Sequence, residues 1–392
     1  MATINKSIGN INVKAEKTGE VDETVIKRAV VKIKVFGVGG GGGNVLKRLA
    51  EKELTDVELI AVNTDAHALS LLNVENITKI QIGENATGGH GTGGRFDIGE
   101  NAAKRDAERI KSAIEGADII FITAGMGGGT GTGAAPVIAE IAKALGVLTV
   151  GVVTVPFGFE GNRKQKNANE GISKLRVNID ALVVVQNDNL LQLPENKSLS
   201  FVDAFKAVDL VLLQAIQCIA ELILTTGFIN VDFADVTTIF QQSTSSDAIL
   251  GIGQSENSAV EAVKNALESP LIDRSIDSAR GLILNVTGDE NLSLDEVNEA
   301  ADYIFSKTDG EINIIFGIVI DKKMKGKIRA MLIATDFIDS VELKGQKISA
   351  PQFNAPPVQN YQSYNAMPSQ PPTAPSSNNV IPMFNFNPYN KK

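Results

Sequence analysis

A chain of 392 residues, 43% hydrophobic and 21% charged, has the make-up of a globular protein, and at roughly 100 to 200 residues per domain it has material for two cores plus tails. Its formal net charge of −9, without any basic run, excludes a nucleic-acid role that rests on neutralising phosphates. No stretch reaches the roughly 18 uninterrupted apolar residues of a membrane span, and the single cysteine, Cys218, excludes an internal disulfide, which fits a reducing compartment.

The first thirty residues lack an apolar signal core. They carry Glu16, Glu20, Asp22 and Glu23, which argues against an organellar transit peptide, so residues 1–29 are expected to form a polar extension. The first ordered element is predicted at "VVKIKVFG", Val30 to Gly37, a β-branched run that stops at glycine. A glycine loop follows, then "NVLKRLAEK" as a helix, "VELIAVNTD" as a strand, "RDAERIKSAIEG" as a helix ending on Gly116, and "ADIIFITAG" as a further strand. A second glycine loop leads into "AAPVIAEIAKALG", a helix with Gly146 as its C-terminal cap, before the buried strands "VLTVGVVTVPF" and "DALVVVQND". Strand and helix alternate, which calls for a Rossmann-like α/β fold: a parallel sheet wrapped by helices, with ligands at the carboxyl ends of the strands.

From Ser200 to about Leu224, "SFVDAFKAVDLVLLQAIQCIAELIL" reads as one long helix, apolar on most of its surface, set between two cores and holding Cys218 as a buried thiol. Beyond Gly227 the pattern predicts a smaller α/β domain, in which "INIIFGIVI" and "KIRAMLIATDF" form a strand pair and Ser293 with Glu296 a capping box. From about Asp339, nine of the thirteen prolines fall among Gln, Asn and Ser, a composition that stays disordered. The expected organisation is therefore an extension at 1–29, a first α/β domain at 30–199, a central helix at 200–226, a second domain at 227–338, a disordered linker at 339–378, and a terminal peptide at 379–392.

Two glycine loops carry the chemistry: "GVGGGGGN", Gly37 to Asn44, and "GMGGGTGTG", Gly125 to Gly133. Each follows a strand and opens a helix, where bare backbone N–H groups and the helix dipole favour a phosphate. Tight turns explain one or two glycines but not five in a row. Gly37, Gly39 and Gly42 formally match G-x-G-x-x-G, with Asp65 near the end of the next strand, as in a nicotinamide-dependent oxidoreductase. A dinucleotide site needs one such loop, so the second disfavours that reading, and no "GK[ST]" follows either loop to make a Walker-type site. Asp209 lies in the most apolar helix, where a carboxylate wants a partner. It suits the N1–H and exocyclic amine of guanine, with Asn187 adding amide contacts; an exposed stripe is the plainer alternative. In "NVDFADV", Asp235 is placed to cap the next helix, yet Asn230, Asp232 and Asp235 together form a set suited to polarising a water for attack on phosphorus.

With these residues in place the chain resembles the FtsZ family, the bacterial relatives of tubulin. "GGGTGTG", Gly127 to Gly133, matches the signature phosphate loop, and "GVGGGGGN", "VNTDA", "PFGFEG", "INVDFADV" and "ENLSLDEVNEAAD" fall in family order over about Val31 to Asp336. The resemblance implies a cytoplasmic GTPase that polymerises head to tail into protofilaments as the scaffold of a mid-cell division ring. It assigns phosphate contacts to Gly39, Gly40, Gly41, Gly42, Gly127, Gly128, Gly129, Thr130, Gly131 and Thr132. Asn44, Asp65 and Lys164 join the nucleotide site, Glu160 meets the ribose, and Asn187, Phe205 and Asp209 meet the guanine. GTP or GDP is implied as ligand, with Mg²⁺ bound through the phosphates and no dedicated protein ligands. Asn230, Asp232 and Asp235 match a loop that, in the family, completes the site of the next subunit.

The chain departs from the family pattern in places. The third nucleotide loop reads "TGGHGTGGRFDIG" from Thr87, without the family's arginine and its Ala-Asn-Pro ending. Lys164, a point charge, stands where an arginine fork is usual, Leu213 replaces another common arginine, and "FQQSTSSDAILGIG" replaces a loop containing Ser-Asn-Lys-Gly. His67 and His90 are read as surface or packing residues. In the tail, "VIPMFNF" keeps Ile381, Pro382 and Phe384 of a peptide that binds membrane-tethering adaptors in the family, without its flanking charges. The alternative implied by these departures is a filament-forming or nucleotide-binding paralogue with weak or no hydrolysis.

Overall fold

The computed structural model describes residues 31–52, 56–192, 196, 198–224, 232–241, 245–256, 258–272, 274–276, 279–308 and 312–337. The expected N-terminal extension, linker and terminal peptide, and Asn230, lie outside the described residues.

The chain runs β1 (Ile33–Val38), α1 (Gly39–Ala50), β2 (Val57–Asn63), α2 (Ala66–Ser70), β3 (Ile77–Gln81), α3 (Glu84–Thr87), α4 (Phe96–Arg105), α5 (Ala107–Ile114), β4 (Ile119–Gly125), α6 (Thr130–Ala144), β5 (Leu148–Val155), α7 (Asn162–Arg176), β6 (Ala181–Gln186) and α8 (Asn187–Leu190). There follow α9 (Phe201–Leu224), α10 (Phe233–Gln241), β7 (Asp247–Ser255), α11 (Ala259–Leu267), β8 (Ala279–Gly288), α12 (Leu294–Phe305), β9 (Asn313–Ile320) and β10 (Ile328–Phe337). The strands form one sheet in the order β3-β2-β1-β4-β5-β6-β7-β10-β8-β9. The first six are parallel in the order of a doubly wound nucleotide fold, reversing direction of build between β1 and β4. β6 and β7 meet over two register pairs, Leu182↔Asp247 and Val183↔Ala248.

Both faces of this sheet are covered, so its strands are apolar throughout rather than alternating. The pleat still sorts side chains by parity. Ile33 and Val35 of β1, with Ile119 and Phe121 of β4, join a core with Val45, Leu46 and Leu49 of α1 and Leu212, Ile216 and Ile219 of α9. Phe36 and Val38, with Ile120 and Ile122, point the other way into a second core with Ala134 and Ile138 of α6. A third core gathers Leu282, Leu284, Ala330 and Leu332 of β8 and β10 under α11 and α12.

Three expectations need correction. The glycine run after β1 is not a loop: α1 begins at Gly39, five residues before Asn44. Glycine is a poor helix former, but the helix here lies so close on the sheet that a Cβ at Gly42 would sit 2.5 Å from the Thr123 carbonyl oxygen and 2.6 Å from the Gly37 carbonyl carbon. The single helix expected at "RDAERIKSAIEG" is split at Asp106, whose carboxylate accepts the Gly83 N–H at 2.7 Å, and α4 precedes it inside the segment read as loop. Finally, β9 and β10 do not pair. β10 is inserted antiparallel between β7 and β8, and β9 runs parallel to β8 at the sheet edge.

The long helix is found as expected, with Cys218 fully inside. By length and composition α9 is apolar enough to cross a bilayer, yet it packs against α1 and β5 as a core helix. Burial pushes the Cys218 thiol up to about 12, against a weak counter-effect from Asn285, whose Nδ2 donates to Sγ at 3.7 Å. At pH 8 only about one part in ten thousand is then thiolate. A thiol-specific disulfide reagent is expected to leave the native protein unmodified for hours at pH 8 and to label one thiol per chain on denaturation. Rapid native labelling would contradict this burial.

Candidate nucleotide site

Where the sheet order reverses, β1 sends its helix to one face and β4 sends its helix to the other. A crevice must open between their two starts. It is a cleft of about 380 Å³, bounded by the first turn of α1, the start of α6 and the end of β2. Neither Val38 before α1 nor Gly129 before α6 supplies a side-chain cap, and neither first turn carries an acid. The free N–H groups at both helix starts, and the positive ends of both dipoles, therefore face one space. Such an arrangement of backbone suits an anion.

The two glycine segments are in contact across it. Gly39 takes φ +74°, and a Cβ there would sit 3.0 Å from the Gly131 nitrogen. A Cβ at Gly131 would lie 2.8 Å from the Gly125 carbonyl oxygen and 3.3 Å from that of Val38. Side chains are absent because backbone packs on backbone. Two threonines pin the arrangement: Gly127 N–H donates to Thr132 Oγ1 at 2.8 Å, and the Thr64 and Thr130 hydroxyls share a buried 2.7 Å bond.

Of the residues expected at the phosphates, Gly39, Gly40, Gly41, Gly128, Gly129, Thr130 and Gly131 line the cleft, as does Asp65. Asp65 spends Oδ1 on the Ala68 N–H, capping α2, and is the one carboxylate among the described residues that line the cleft. Gly42 packs on the sheet behind it, and Gly127 and Thr132 brace the second loop from beneath. Asn44 lines an adjoining hollow of about 200 Å³ with Gly39, Gly40 and Lys47. Lys164 does not line the cleft: its Nζ is 2.9 Å from Glu160 Oε2, while Glu160 Oε1 accepts the Phe157 N–H at 2.9 Å.

A wall that the site assignment omitted comes from the third loop. His90, Gly91, Thr92, Gly93 and Gly94 line the cleft, and a Cβ at Gly129 would collide with Thr92 Oγ1. The signal was present in "GGHGTGG", five glycines in seven residues. Arg95, at the end of that loop, is committed outward to Asp97 at 2.7 Å, and this contact holds the Asp97 carboxyl below its usual range.

The residues expected at the base lie on α8 and α9. Asn187, the first residue of α8, is buried and its Oδ1 has no partner, an acceptor left for a bound donor. Phe205 belongs to an aromatic group, 5.2 Å from Phe157 and 5.1 Å from Phe201 between ring centroids, with Phe159 stacked on Phe157. Asp209 is buried, and Arg48 Nε of α1 donates to its Oδ2 at 3.3 Å. Burial raises the Asp209 carboxyl above its usual range, and Arg48 opposes that rise. The exposed-stripe reading of Asp209 is thereby set aside.

Asp232 and Asp235 are exposed at the start of α10, where Asp232 Oδ1 accepts the Ala234 N–H at 3.3 Å. They do not line the cleft. The stretch of α9 from Asp209 to Leu224, about 22 Å of helix, lies between them and the base-side residues in sequence. A larger hollow of about 660 Å³ between α9, β7 and α11 holds none of the expected site residues.

Comparison with known proteins bears on the whole of this arrangement. Residues 32–195 match the GTPase domain of the tubulin/FtsZ family, and residues 246–338 match the C-terminal domain of the FtsZ family. The structure is similar to FtsZ of M. jannaschii, solved as an empty dimer, with 43% identity, 80% of this chain and 90% of that one covered, and a TM-score of 0.75. It shares its fold with a CetZ from Haloferax volcanii solved as a GDP-bound monomer, at 20% identity, 80% and 97% coverage and a TM-score of 0.67. A second CetZ of that organism, solved as a GTPγS-bound protofilament, gives 22% identity, 80% and 96% coverage and the same TM-score of 0.67.

Proposed function

This chain belongs to the FtsZ family, and we propose that it is a self-assembling GTPase whose subunits join head to tail and hydrolyse GTP between successive copies. The observation that carries the reading is the pair of uncapped helix starts facing one cleft with no acid in either first turn. The triphosphate lies across the amides of α1 and α6, and the third loop closes the side where Thr92 and Gly93 stand. The guanine takes its hydrogen bonds from Asn187 and Asp209 and stacks near Phe205. Where Mg²⁺ is bound with the nucleotide, Asp65 would be the cleft carboxylate placed to hold its waters, and the ion would supply charge neutralisation.

Cleavage needs a group that orients and polarises water. Asn230, Asp232 and Asp235 supply it, and because Asp232 and Asp235 do not line the cleft of their own chain, they act on the nucleotide of the adjoining copy. Hydrolysis then follows assembly. The FtsZ dimer and the CetZ protofilament among the similar structures support association between copies. At the cellular level, we assign the polymer to the division site in the cytoplasm, with the terminal peptide around Ile381 and Phe384 docking a tethering partner. The Lys164–Glu160 pair favours a second reading, in which nucleotide is held but turned over slowly, since Lys164 is then not spent on phosphate.

Phosphate release measured against protein concentration tests the assembly. Turnover per subunit is expected to be near zero below a critical concentration and to rise steeply above it. A specific rate that stays flat on dilution rules out the shared site, and GTP binding without release at any concentration favours the second reading.

A further inference from the structure

Asp209 and Arg48 are 161 residues apart in sequence, yet they form a part-buried ion pair between α9 and α1. The same α1 opens on the phosphate cleft at Gly39, nine residues or about 13 Å of helix earlier. One helix therefore reaches both ends of the proposed nucleotide site. We infer that Arg48 is a positioning residue for guanine recognition: its Nε–H holds Oδ2 of Asp209, keeping the carboxylate ionised and oriented so that it accepts the two N–H groups of the base edge. This rests on the proposal that Asp209 receives guanine.

The chemistry is specific. Two parallel N–H donors need an acceptor-only carboxylate, and a protonated one turns a donor toward a donor. Asp209 is buried, and burial drives it toward the neutral form. The ionisable groups on the elements around it are Lys47 and Arg48 of α1, Asp203, Lys206, Cys218 and Glu221 of α9, and Asp188 of α8; β5, also packed on α9, has none. Among these described residues Arg48 alone acts on the Asp209 charge. Lys206 is engaged 2.8 Å from Asp203, and Asp188 accepts the Gly158 N–H. Lys47, the other cation of α1, lines the adjoining hollow with Asn44 and does not act on Asp209.

The sign follows. Asp209 titrates above the usual carboxylate range, so guanine binding weakens as pH falls through its midpoint, and removal of Arg48 moves that midpoint upward. GTP and inosine triphosphate, which lacks the exocyclic amine, are titrated into the full-length protein at pH 8, 7, 6 and 5. R48M is expected to lose more GTP affinity the lower the pH, the loss approaching about tenfold for each unit by which the midpoint rises once the pH is below both midpoints, and to lose its preference for GTP over inosine triphosphate in step. R48K, which restores the charge, is expected to follow the wild-type profile. If R48M does not fold by circular dichroism, R48Q, which keeps a donor without charge, takes its place with the same expectation. Weakening by one factor at every pH would reduce Arg48 to a packing residue and overturn the inference. D209A separates the two levels: wild-type GTP affinity in D209A removes Asp209 from the base site, whereas loss in D209A with a wild-type pH profile in R48M overturns Arg48's role alone.

Discussion

Asp235→Ala is expected to bind GTP within about twofold of the parent and to release phosphate on the order of 10²- to 10⁴-fold more slowly, the range associated with loss of a group that handles a proton in the transition state. The split follows from where Asp235 sits. It is exposed in the first turn of α10, its carboxylate bonds no side chain among the described residues, and it does not line the cleft of its own chain. Its structural contribution is the attraction of a negative charge to a helix start, about 0.3 to 1 kcal/mol, too little to unfold the protein. Asp232 makes a less clean test, because its Oδ1 accepts the Ala234 N–H and alanine there also removes a cap. Mixing D235A with wild-type subunits sharpens the result. If the acid serves the neighbour, the mutant still offers an intact cleft, and its bound GTP is cleaved only where a wild-type copy follows. Unchanged turnover in the variant alone would remove the acid cluster from the reaction, and loss of GTP binding would make its role structural.

Gly131→Ala should have the largest effect on binding. The added methyl has no soft neighbour to push aside: it meets the Gly125 carbonyl oxygen at 2.8 Å and that of Val38 at 3.3 Å, both fixed in or beside β4 and β1. The loops must separate. Overpacking of this kind costs about 1 to 3 kcal/mol in stability, so melting should fall by several degrees while the protein remains folded. GTP affinity should fall further, by about 10²-fold, since amides that bond a charged phosphate contribute roughly 1.5 to 3 kcal/mol each and at least one moves out of reach. Calorimetric titration together with a melt distinguishes the two losses. A folded variant with unchanged affinity would mean that these loops do not hold the phosphates.

The alternation of strands and helices was legible because buried parallel strands are runs of Val and Ile that stop at glycine, as in "VVKIKVFG" and "ADIIFITAG". What local pattern does not carry is how closely elements approach. α1 starts inside five glycines because Gly42 lies against Thr123, and α4 hides in a polar, glycine-broken segment because Gly99 lies 2.5 Å, by its absent Cβ, from the Gly129 carbonyl oxygen of the facing loop. Those reasons are tertiary. Likewise "INIIFGIVI" and "KIRAMLIATDF" look like a hairpin, yet β10 is buried along nearly its whole length and takes a central place, while β9 is half exposed at the edge. At the site, the two glycine loops could be read because each is continuous in sequence. The third loop is legible as a glycine-rich segment but marks no single residue as a ligand, and Arg48 is invisible to local pattern, because an ordinary basic residue in the last turn of a helix acquires its meaning only from a carboxylate on another element.

The placement of α1 in one core and α6 in the other has a thermodynamic consequence. A ligand held by both helix starts is bonded to two layers that share only the sheet between them, so neither layer can melt away without letting it go. Every opening of either face is thus linked to nucleotide release. If the proposed nucleotide binds there, a free concentration 100 times the dissociation constant adds about 2.7 kcal/mol to unfolding through this linkage, and the protein's lifetime against proteolysis is expected to rise and fall with the guanine-nucleotide supply.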